Sequence, residues 1–322
     1  MKDTEFAYAV ARVRSNETKL LSSARLESLI NAENFDECIK ILSEAGFDGI
    51  ETGDTEKALS DRLDKAFSLI YESAPDKNCL DFLVVKNDYH NLKSLLKAMV
   101  SGADGDGSLL SPSIVKHSVL KRSLLEKDFS QLPEFLSLAA KEGYGLVTET
   151  MDGQILEVYL DRKCLEACEK LAEDSGDEFS IGVAELFTAL TNIRIACRCL
   201  KKGKDKAFLD FALADCRLCD KEKLISSVLE GEESLLNCIS SFGFDAISKS
   251  MKQGFAALEK TCDDILTEKV KCAKFQCLGI APLAAYYFAT DAEIKTVRII
   301  LSCKKNGVSE EFIRERVRVL YV

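Results

Sequence analysis

One short motif recurs three times along the chain at a constant spacing. Each copy has a polar, an aliphatic and a basic residue, and the copies begin 101 residues apart, at positions 91, 192 and 293. They read Asn91-Leu92-Lys93, Asn192-Ile193-Arg194 and Glu293-Ile294-Lys295. A glycine followed by an aromatic residue recurs upstream of each copy, as Gly46-Phe47, Gly143-Tyr144 and Gly243-Phe244. Two independent landmarks at near-equal spacing predict three units of about 100 residues each.

The apolar pattern within these units is typical of helices. Apolar residues recur about every three to four positions nearly everywhere, whereas alternating strand patterns are scarce. The chain has only four prolines in 322 residues, which also favours helices. We therefore predict an all-α protein in which a long helix begins near each of Asn91, Asn192 and Glu293. Each landmark glycine is predicted to end a helix in the left-handed conformation.

The predicted units have boundaries at 1–110, 111–210 and 211–322. The first holds an N-terminal helix and the first helical repeat, the second holds the second repeat, and the third holds the third repeat and a C-terminal helix. Known solenoid repeats are shorter, at about 33 to 47 residues, so each unit should contain several helices. Three such units can stack as an open solenoid or close as a pseudo-threefold ring, and the pattern alone favours neither arrangement.

Charge and hydropathy exclude several classes of protein. The net charge is −10, and because phosphate binding needs an excess of Lys and Arg, nucleic acid is not expected as a partner. Basic residues are concentrated after Lys269, which predicts two contact surfaces of different character. The charged N-terminus lacks the apolar stretch of a signal peptide, so we expect no export. The longest uncharged run, residues 275–290, is too short to span a membrane and is predicted to be a buried core helix.

Thirteen cysteines are the most unusual part of the composition. Their odd number, without a signal peptide, favours reduced thiols in a cytoplasm over a disulfide framework. Cys216 and Cys219 form a Cys-x-x-Cys motif, but a structural zinc site needs four ligands. His90 and His117 are the only histidines, and neither has a cysteine pair close in sequence. We predict that the cysteines pack as small hydrophobic residues, with no metal and no cofactor.

Catalytic signatures are missing from the sequence. There is no Gly-x-x-x-x-Gly-Lys-Ser/Thr loop, no His-Glu-x-x-His motif and no Gly-x-Ser-x-Gly motif. The Gly- and Asp-rich residues 102–107 lack the glutamate of a calcium loop, since the twelfth position counted from Asp104 is Val115. These residues are predicted to be a flexible connector. We expect no enzymatic activity and no direct small-molecule substrate.

Several longer motifs occur in a characteristic order. The chain opens with Tyr8-Ala9-Val10-Ala11-Arg12-Val13-Arg14, followed by Glu17, Leu20 and Leu21. Asp88-Tyr89 precedes the first landmark, and the third repeat contains Arg298 and Lys304-Lys305-Asn306-Gly307. The ending reads Phe312-Ile313-Arg314-Glu315-Arg316-Val317-Arg318-Val319-Leu320-Tyr321-Val322. In order and spacing these motifs resemble the C subunit of the V-type and archaeal-type rotary ATPases, the counterpart of the d subunit in the eukaryotic vacuolar enzyme. Glu293, where the other repeats have Asn, and the many cysteines depart from the pattern.

The resemblance implies a fold and a role. It implies a funnel-shaped body made of three pseudo-threefold-related helical repeats. It also implies a non-catalytic rotor component of the central stalk, which couples the shaft of the D and F subunits to the proteolipid ring of the membrane sector. The complex would transport protons or sodium and hydrolyse or synthesise ATP in its head. The chain would then be peripheral, on the cytoplasmic face of the membrane, as part of that complex.

Basic residues at repeated or N-terminal positions are the candidates for partner binding. They are Arg12, Arg14, Lys93, Arg194 and Lys295. Like charges at equivalent positions of three units could surround one axis, or they could simply be solvated helix surface. We also expect Arg12, Arg14 and Glu17 on one long N-terminal helix. Glu17 is expected to be neutralised by a basic partner, or by Arg14 on the same helix surface.

Two other classes of protein share these sequence features. One is a generic helical-repeat scaffold that binds another protein partner. The other is a metal-dependent or redox enzyme that uses Cys216 and Cys219. Co-purification with shaft and proteolipid subunits would favour the rotor component over the scaffold. Bound zinc at about one equivalent would favour the enzyme.

Overall fold

The computed structural model describes residues 3–102 and 105–322, and all regular secondary structure within them is helical. The prediction of an all-α protein is therefore confirmed. The α-helices of the described residues are α1 (Ala7–Glu17), α2 (Ser23–Asn31), α3 (Phe35–Glu44), α4 (Thr55–Ser73), α5 (Asp81–Ser101), α6 (His117–Glu126), α7 (Glu134–Thr150), α8 (Gly153–Ser175), α9 (Glu178–Lys202), α10 (Lys206–Ala212), α11 (Lys221–Glu230), α12 (Glu232–Ser241), α13 (Asp245–Met251), α14 (Phe255–Lys271), α15 (Ala281–Lys305) and α16 (Glu310–Arg316). Short 3₁₀ turns occupy Asp3–Phe6, Ile50–Thr52, Asn78–Leu80, Asp106–Ser108 and Cys272–Phe275. The predicted connector at 102–107 includes Ala103 and Asp104, which lie outside the described residues.

Local sequence explains where many of these helices begin and end. A short polar side chain precedes eight of them and accepts a hydrogen bond from a backbone N–H of the first turn, which satisfies a donor that has no partner inside the helix. These capping residues are Ser22, Asn34, Asp54, Asp152, Asp177, Asp205, Asp220 and Ser309. Glycines in the left-handed conformation end α5, α8 and α9, at Gly102, Gly176 and Gly203.

Two of the three landmark glycines end helices as predicted, and the third does not. Gly46 follows α3 with a φ of +84°, and Gly243 follows α12 with a φ of +88°. Gly143 instead lies inside α7, where a Cβ atom would meet the side chains of Leu96 and Leu156 at 3.3 Å. The absence of a side chain at Gly143 therefore lets α7 approach α5 and α8 closely. The prediction of a helix end at this position is wrong.

The chain folds into two compact units. Unit 1 comprises Met1–Lys77 and Phe244–Val322, and unit 2 comprises Asn78–Gly243. The three units predicted at 1–110, 111–210 and 211–322 stay a prediction. The threefold relation between those repeats and the funnel shape stay predictions.

Helix α15 is the centre of unit 1. It packs against α1, α3, α4, α14 and α16. Ile294, Val297 and Ile300 recur at helical spacing on its buried face. The core around this face also includes Leu29, Ile30, Leu42, Phe47, Ile50, Leu59, Ile313 and Leu320.

The last residues of the chain form an extended segment that is held against α14. Arg318 Nε lies 3.0 Å from Asp263 Oδ2, and the Val319 N–H donates to Asp264 Oδ1 at 2.8 Å. The Tyr321 side chain is buried beyond them. Part of the basic C-terminal region therefore has acidic partners within unit 1 itself.

Unit 2 is built on three long helices, α5, α8 and α9, of 21, 23 and 25 residues. α5 packs against α7 and α8, and α9 packs against α8 and α11. In the part of the chain that the structure describes, α9 is the one helix long and apolar enough to cross a membrane by length and composition alone. However, 61% of its most apolar stretch is buried inside the protein, as in the core helix of a globular domain.

The uncharged run at residues 275–290 is not one buried helix. Phe275 ends a 3₁₀ turn and is 88% exposed, whereas α15 begins only at Ala281. Gly279, with a φ of +89°, turns the chain between them, and Pro282 lies in the first turn of α15. The absence of charge predicted burial of the whole run. Only the part from Ala281 to Thr290 is a largely buried helix.

Truncating a core side chain of unit 1 should be costly. Leu42 is fully buried, so Leu42→Ala should lower the free energy of unfolding by about 2–5 kcal/mol. Leu125 is 80% exposed, and Leu125→Ala should change it by less than about 0.5 kcal/mol. Urea denaturation followed by circular dichroism measures both variants. Equal losses in the two variants would contradict this description of the core.

Candidate functional site

The landmark residues lie in the middle of long helices rather than at their starts. Asn91 is inside α5, Asn192 inside α9 and Glu293 inside α15, and all three are at most 2% exposed. The prediction that the helices begin at these residues is wrong. A polar residue followed by apolar residues at helical spacing is typical of a helix start. Here each of the three polar residues is instead buried inside a continuous helix.

Asn91 and Asn192 each hold a connecting segment by two hydrogen bonds. The Asn91 Nδ2 atom donates to the Leu110 carbonyl at 2.9 Å, and the Leu110 N–H donates to Asn91 Oδ1 at 2.7 Å. The Asn192 carboxamide bonds the carbonyl and N–H of Ala214 in the same way, at 2.8 and 3.2 Å. A carboxamide has both a donor and an acceptor, so it can pair with both polar groups of one residue. We refer to these two pairs as the amide clamps.

Glu293 makes a different contact at its equivalent position. A carboxylate only accepts, and Glu293 accepts from the Leu21 N–H through Oε2 and from Arg62 Nε through Oε1, the latter at 2.7 Å. Arg62 also donates to the carbonyls of Gly46 and Lys19, at 3.1 and 3.2 Å. Burial raises the pKa of Glu293, while the charge of Arg62 lowers it. We refer to Glu293, Arg62 and the Leu21 N–H as the carboxylate clamp.

No sequence pattern points to Arg62. Its side chain lies 231 positions before Glu293 in the chain, and no repeat marks it. The glutamate itself was a signal, because a carboxylate within an apolar helix stripe is costly to bury without a cation. That signal predicts that a cation is present without identifying it.

A second buried carboxylate strengthens the first amide clamp. Asp88 is fully buried on α5 and accepts the N–H groups of Ile114 and Val115 at 3.0 and 2.8 Å. Its neighbour Asn87 donates to the Pro112 carbonyl at 2.7 Å. One face of α5 therefore holds the segment from 110 to 115 at several points.

The three repeated basic residues follow the clamp residues by two positions. Lys93 is paired with Asp161 at 2.6 Å in unit 2, and Lys295 is paired with Asp291 at 3.0 Å in unit 1. Arg194 is half-buried on α9, in unit 2. The side chains of Lys93 and Lys295 are 21% and 46% exposed, so solvent reaches both.

Arg12 and Arg14 lie on α1 but have different surroundings. Arg12 donates to Ser73 Oγ at 2.7 Å and borders an open cavity of about 440 Å³ with mostly acidic charged residues. Arg14 donates to the carbonyls of Ala273 and Gln276, both at 2.8 Å, and so holds the turn before α15. Both side chains are half-buried.

Of the two partners expected for Glu17, the structure has Arg14 on the same helix surface. Arg12, Arg14 and Glu17 all lie on α1, which has 11 residues and is shorter than expected. Arg14 Nη1 lies 2.8 Å from Glu17 Oε2, and the Tyr321 hydroxyl donates to Oε1 at 3.3 Å. The cation that neutralises this carboxylate is thus three residues away on the same helix.

The cysteines are free thiols in varied surroundings. Cys38 and Cys197 are fully buried, whereas Cys238 is half-buried. Within residues 3–102 and 105–322, no three His, Cys, Asp or Glu side chains gather as metal ligands would. Cys216 and Cys219 adjoin the second amide clamp, since Asn192 Nδ2 lies 3.9 Å from Cys219 Sγ.

Comparison with known proteins identifies relatives along nearly the whole chain. Residues 9–316 match the family described as ATP synthase (C/AC39) subunit. The C subunit of the V-type sodium ATPase of Enterococcus hirae is 26% identical, over 96% of this chain and 97% of the relative. The C subunit of the V-type ATP synthase of Thermus thermophilus is 23% identical, over 97% and 98%. The C subunit of the A-type ATP synthase of Methanocaldococcus jannaschii is 25% identical, over 96% and 85%.

A helical chain with a match of this extent is a component of a rotary ATPase. It belongs to the ATP synthase (C/AC39) subunit family, whose relatives include the C subunits of V-type and A-type enzymes. Members of that family are structural parts of the complex and are not themselves catalytic. The resemblance inferred from the order of the motifs is thereby confirmed.

Breaking an amide clamp should destabilise the protein. Asn192→Ala leaves the buried N–H and carbonyl of Ala214 unpaired, which should lower the free energy of unfolding by about 2–4 kcal/mol. Asn306 is exposed and bonds only the Ser302 carbonyl of its own helix, so Asn306→Ala should cost less than about 1 kcal/mol. Urea denaturation compares the two. A small loss for Asn192→Ala would mean that the clamp is not an important contact.

Asp88 should make stability depend on pH. Burial raises its pKa to about 6, against the opposing N–H groups of Ile114 and Val115, whereas an ordinary aspartate has a pKa of about 3.9. The folded state therefore binds this proton more tightly, and the stabilisation is complete below pH of about 4 and lost as pH rises through about 6. Relative to Asp88→Asn, the free energy of unfolding should fall by up to about 3 kcal/mol over that window. Denaturation curves from pH 4 to 7 test this, and a constant difference between the two proteins would contradict it.

Proposed function

We propose that this chain is the central-stalk adaptor of a V/A-type rotary ATPase. It would join the shaft of the D and F subunits to the proteolipid ring, on the cytoplasmic face of the membrane. In that position it would transmit rotation between the ATP-hydrolysing or ATP-synthesising head and the transport of protons or sodium. The observation that carries the proposal is the family match over residues 9–316, because a match along nearly the whole chain involves the protein as a whole rather than one shared module.

The clamps support a mechanical role. α5, α9 and α15 have 21, 25 and 25 residues, and at 1.5 Å per residue they are about 30 to 38 Å long. Each is tied near its middle to a connecting segment by Asn91, Asn192 or Glu293. A tie in the middle of a helix resists both sliding and rotation against the neighbouring segment. Resistance to such motion is what a part that transmits torque requires.

The exposure and charge of the repeated basic residues favour them as contacts for acidic groups of a partner. Successive residues of an α-helix are about 100° apart around its axis. Lys93, Arg194 and Lys295 therefore project about 200° away from the buried clamp residues. The pairs of Lys93 with Asp161 and of Lys295 with Asp291 are partly exposed. Such pairs contribute about 0–1 kcal/mol, so a carboxylate of a partner can replace them. We propose these three residues, together with Arg12, as direct partner contacts.

Arg14 is proposed to act through the turn that it holds. Its guanidinium is occupied by Glu17 and by the carbonyls of Ala273 and Gln276. Those contacts fix the turn from which Phe275 projects into solvent. Arg14 is therefore a positioning residue rather than a direct contact.

Reversal of the repeated charges tests the proposal. The triple variant Lys93→Glu, Arg194→Glu and Lys295→Glu should weaken assembly of the head with the membrane sector by about tenfold or more at low salt, and by less at high salt, where charges are screened. The isolated variant should keep its helical circular dichroism spectrum. Assembly is measured by co-purification of the shaft and proteolipid subunits with the tagged chain, and coupling by ATP-dependent ion transport.

A second triple variant with the same change in charge is the control. Lys40, Lys141 and Lys223 are exposed, one in each predicted repeat, and none is on a helix that carries a clamp residue. Reversal of all three to Glu should leave assembly unchanged. Equal effects of the two triple variants would mean that only net charge matters. Normal assembly and coupled transport of the first variant would assign its residues to solvated helix surface.

A further inference from the structure

A cavity in unit 1 lies between the C-terminal half of α15 and the starts of α3 and α4. Its volume is about 400 Å³, within the range of clefts that bind ligands. Phe35 on α3, Leu59 on α4 and Leu301 on α15 form its apolar part. Arg298 and Lys305 also line it, and both are exposed to solvent. We refer to this site, which joins an apolar surface to two cations, as the α15 cavity.

The apolar part of the α15 cavity belongs to the core of unit 1. Leu59 and Leu301 are 1% and 5% exposed, and the half-buried Phe35 packs against the same core. Lys304 donates to the Ala32 carbonyl at 2.5 Å, which ties the end of α15 to the segment between α2 and α3. The side chains that form the cavity are therefore held in place before any ligand binds.

Arg298 already holds a carboxylate in two-point geometry. Its Nε atom lies 3.1 and 3.0 Å from the two carboxylate oxygens of Glu56, and its Nη2 atom lies 2.9 Å from Oε2. A guanidinium binds a carboxylate through two donors in this way. The Glu56 side chain is 65% exposed, and an ion pair that solvent reaches so well contributes little to stability. Glu56 thus occupies a position that a carboxylate from outside can take.

The polar and apolar groups along this part of α15 have the spacing of one helix face. Arg298, Leu301, Ser302 and Lys305 stand at positions i, i+3, i+4 and i+7. The two cations are two turns apart, which is about 10.5 Å along the axis. Lys305 makes no ion pair within the part of the chain that the structure describes. A small anion would use one of these cations, whereas a second helix with acidic residues seven positions apart matches both.

We propose that the α15 cavity binds an acidic amphipathic helix of a partner protein. One Asp or Glu of that helix pairs with Arg298, and another, seven residues away, pairs with Lys305. An apolar side chain between them enters the cavity against Phe35 and Leu301, as in other complexes in which a helix lies in a groove. Glu56 moves into solvent when the partner binds, so in the free protein it acts as an internal competitor. This site uses none of the basic residues proposed above as partner contacts, and the isolated chain is sufficient to test it.

The probe is an acetylated, fluorescein-labelled, alanine-based helical peptide of about 15 residues. It carries two Glu seven positions apart, with Leu at the third and fourth positions after the first Glu. Fluorescence anisotropy measures its binding to the isolated full-length chain at low salt. The whole chain has a net charge of −10 and repels an acidic peptide in general, so attraction must come from a local site.

A second peptide with Gln in place of both Glu is the matched control. It keeps the apolar residues and lacks the charges, so it should bind about tenfold or more weakly. Added salt should weaken binding of the Glu peptide toward that of the Gln peptide, because solvent-exposed charges are screened.

Substitution of either member of the internal ion pair should have opposite effects. Arg298→Gln removes the carboxylate-binding group and should weaken binding of the Glu peptide by about tenfold or more. Glu56→Gln removes the internal competitor and should strengthen it by about two- to fivefold. Arg314 is the control, because it is similarly exposed, pairs with Glu27 at 2.7 Å and does not line the cavity. Arg314→Gln should leave the affinity unchanged.

Three results would overturn the proposal. One is a change of affinity in the same direction in Arg298→Gln and Glu56→Gln, which is what a merely structural ion pair predicts. Another is equal binding of the Glu and Gln peptides, which would mean apolar adsorption alone. The third is the absence of saturable binding to Glu56→Gln up to about 1 mM peptide. Circular dichroism checks the fold of each variant, and should one fail to fold, the two peptides and the salt dependence of wild type decide the question.

Discussion

Connecting segments that pack against helices need partners for their backbone N–H and carbonyl groups, and in this protein polar side chains in the middle of long helices supply them. Asn91 pairs with both groups of Leu110, and Asn192 pairs with both groups of Ala214. Each such group, buried without a partner, would cost about 1–3 kcal/mol. A helix therefore cannot shift along its neighbour without losing these bonds. The clamps fix the register in which the apolar faces pack.

The carboxylate clamp solves the same problem with a charge. Glu293 has no donor for a carbonyl, and Arg62 provides donors to the carbonyls of Lys19 and Gly46 instead. The guanidinium also lies over the Phe47 ring, 4.0 Å from its centre. Arg62 thus joins both sequence landmarks of unit 1, the Gly-aromatic pair and the polar motif. Burial of a charge is costly without such pairing, so the arrangement depends on Arg62.

The sequence predicted which positions matter better than it predicted what they do. The 101-residue spacing singled out Asn91, Asn192 and Glu293, but their polar character suggested helix starts, because the same residue types cap helices. Their real partners are 19, 22 and 272 positions away, beyond the reach of any local pattern. Helical periodicity predicted the all-α fold because it is a local property. The landmark glycines show the same limit of local patterns. The left-handed turns at Gly46 and Gly243 are local chain reversals, which sequence can predict. The close packing around Gly143 depends on side chains of two other helices, which sequence does not reveal.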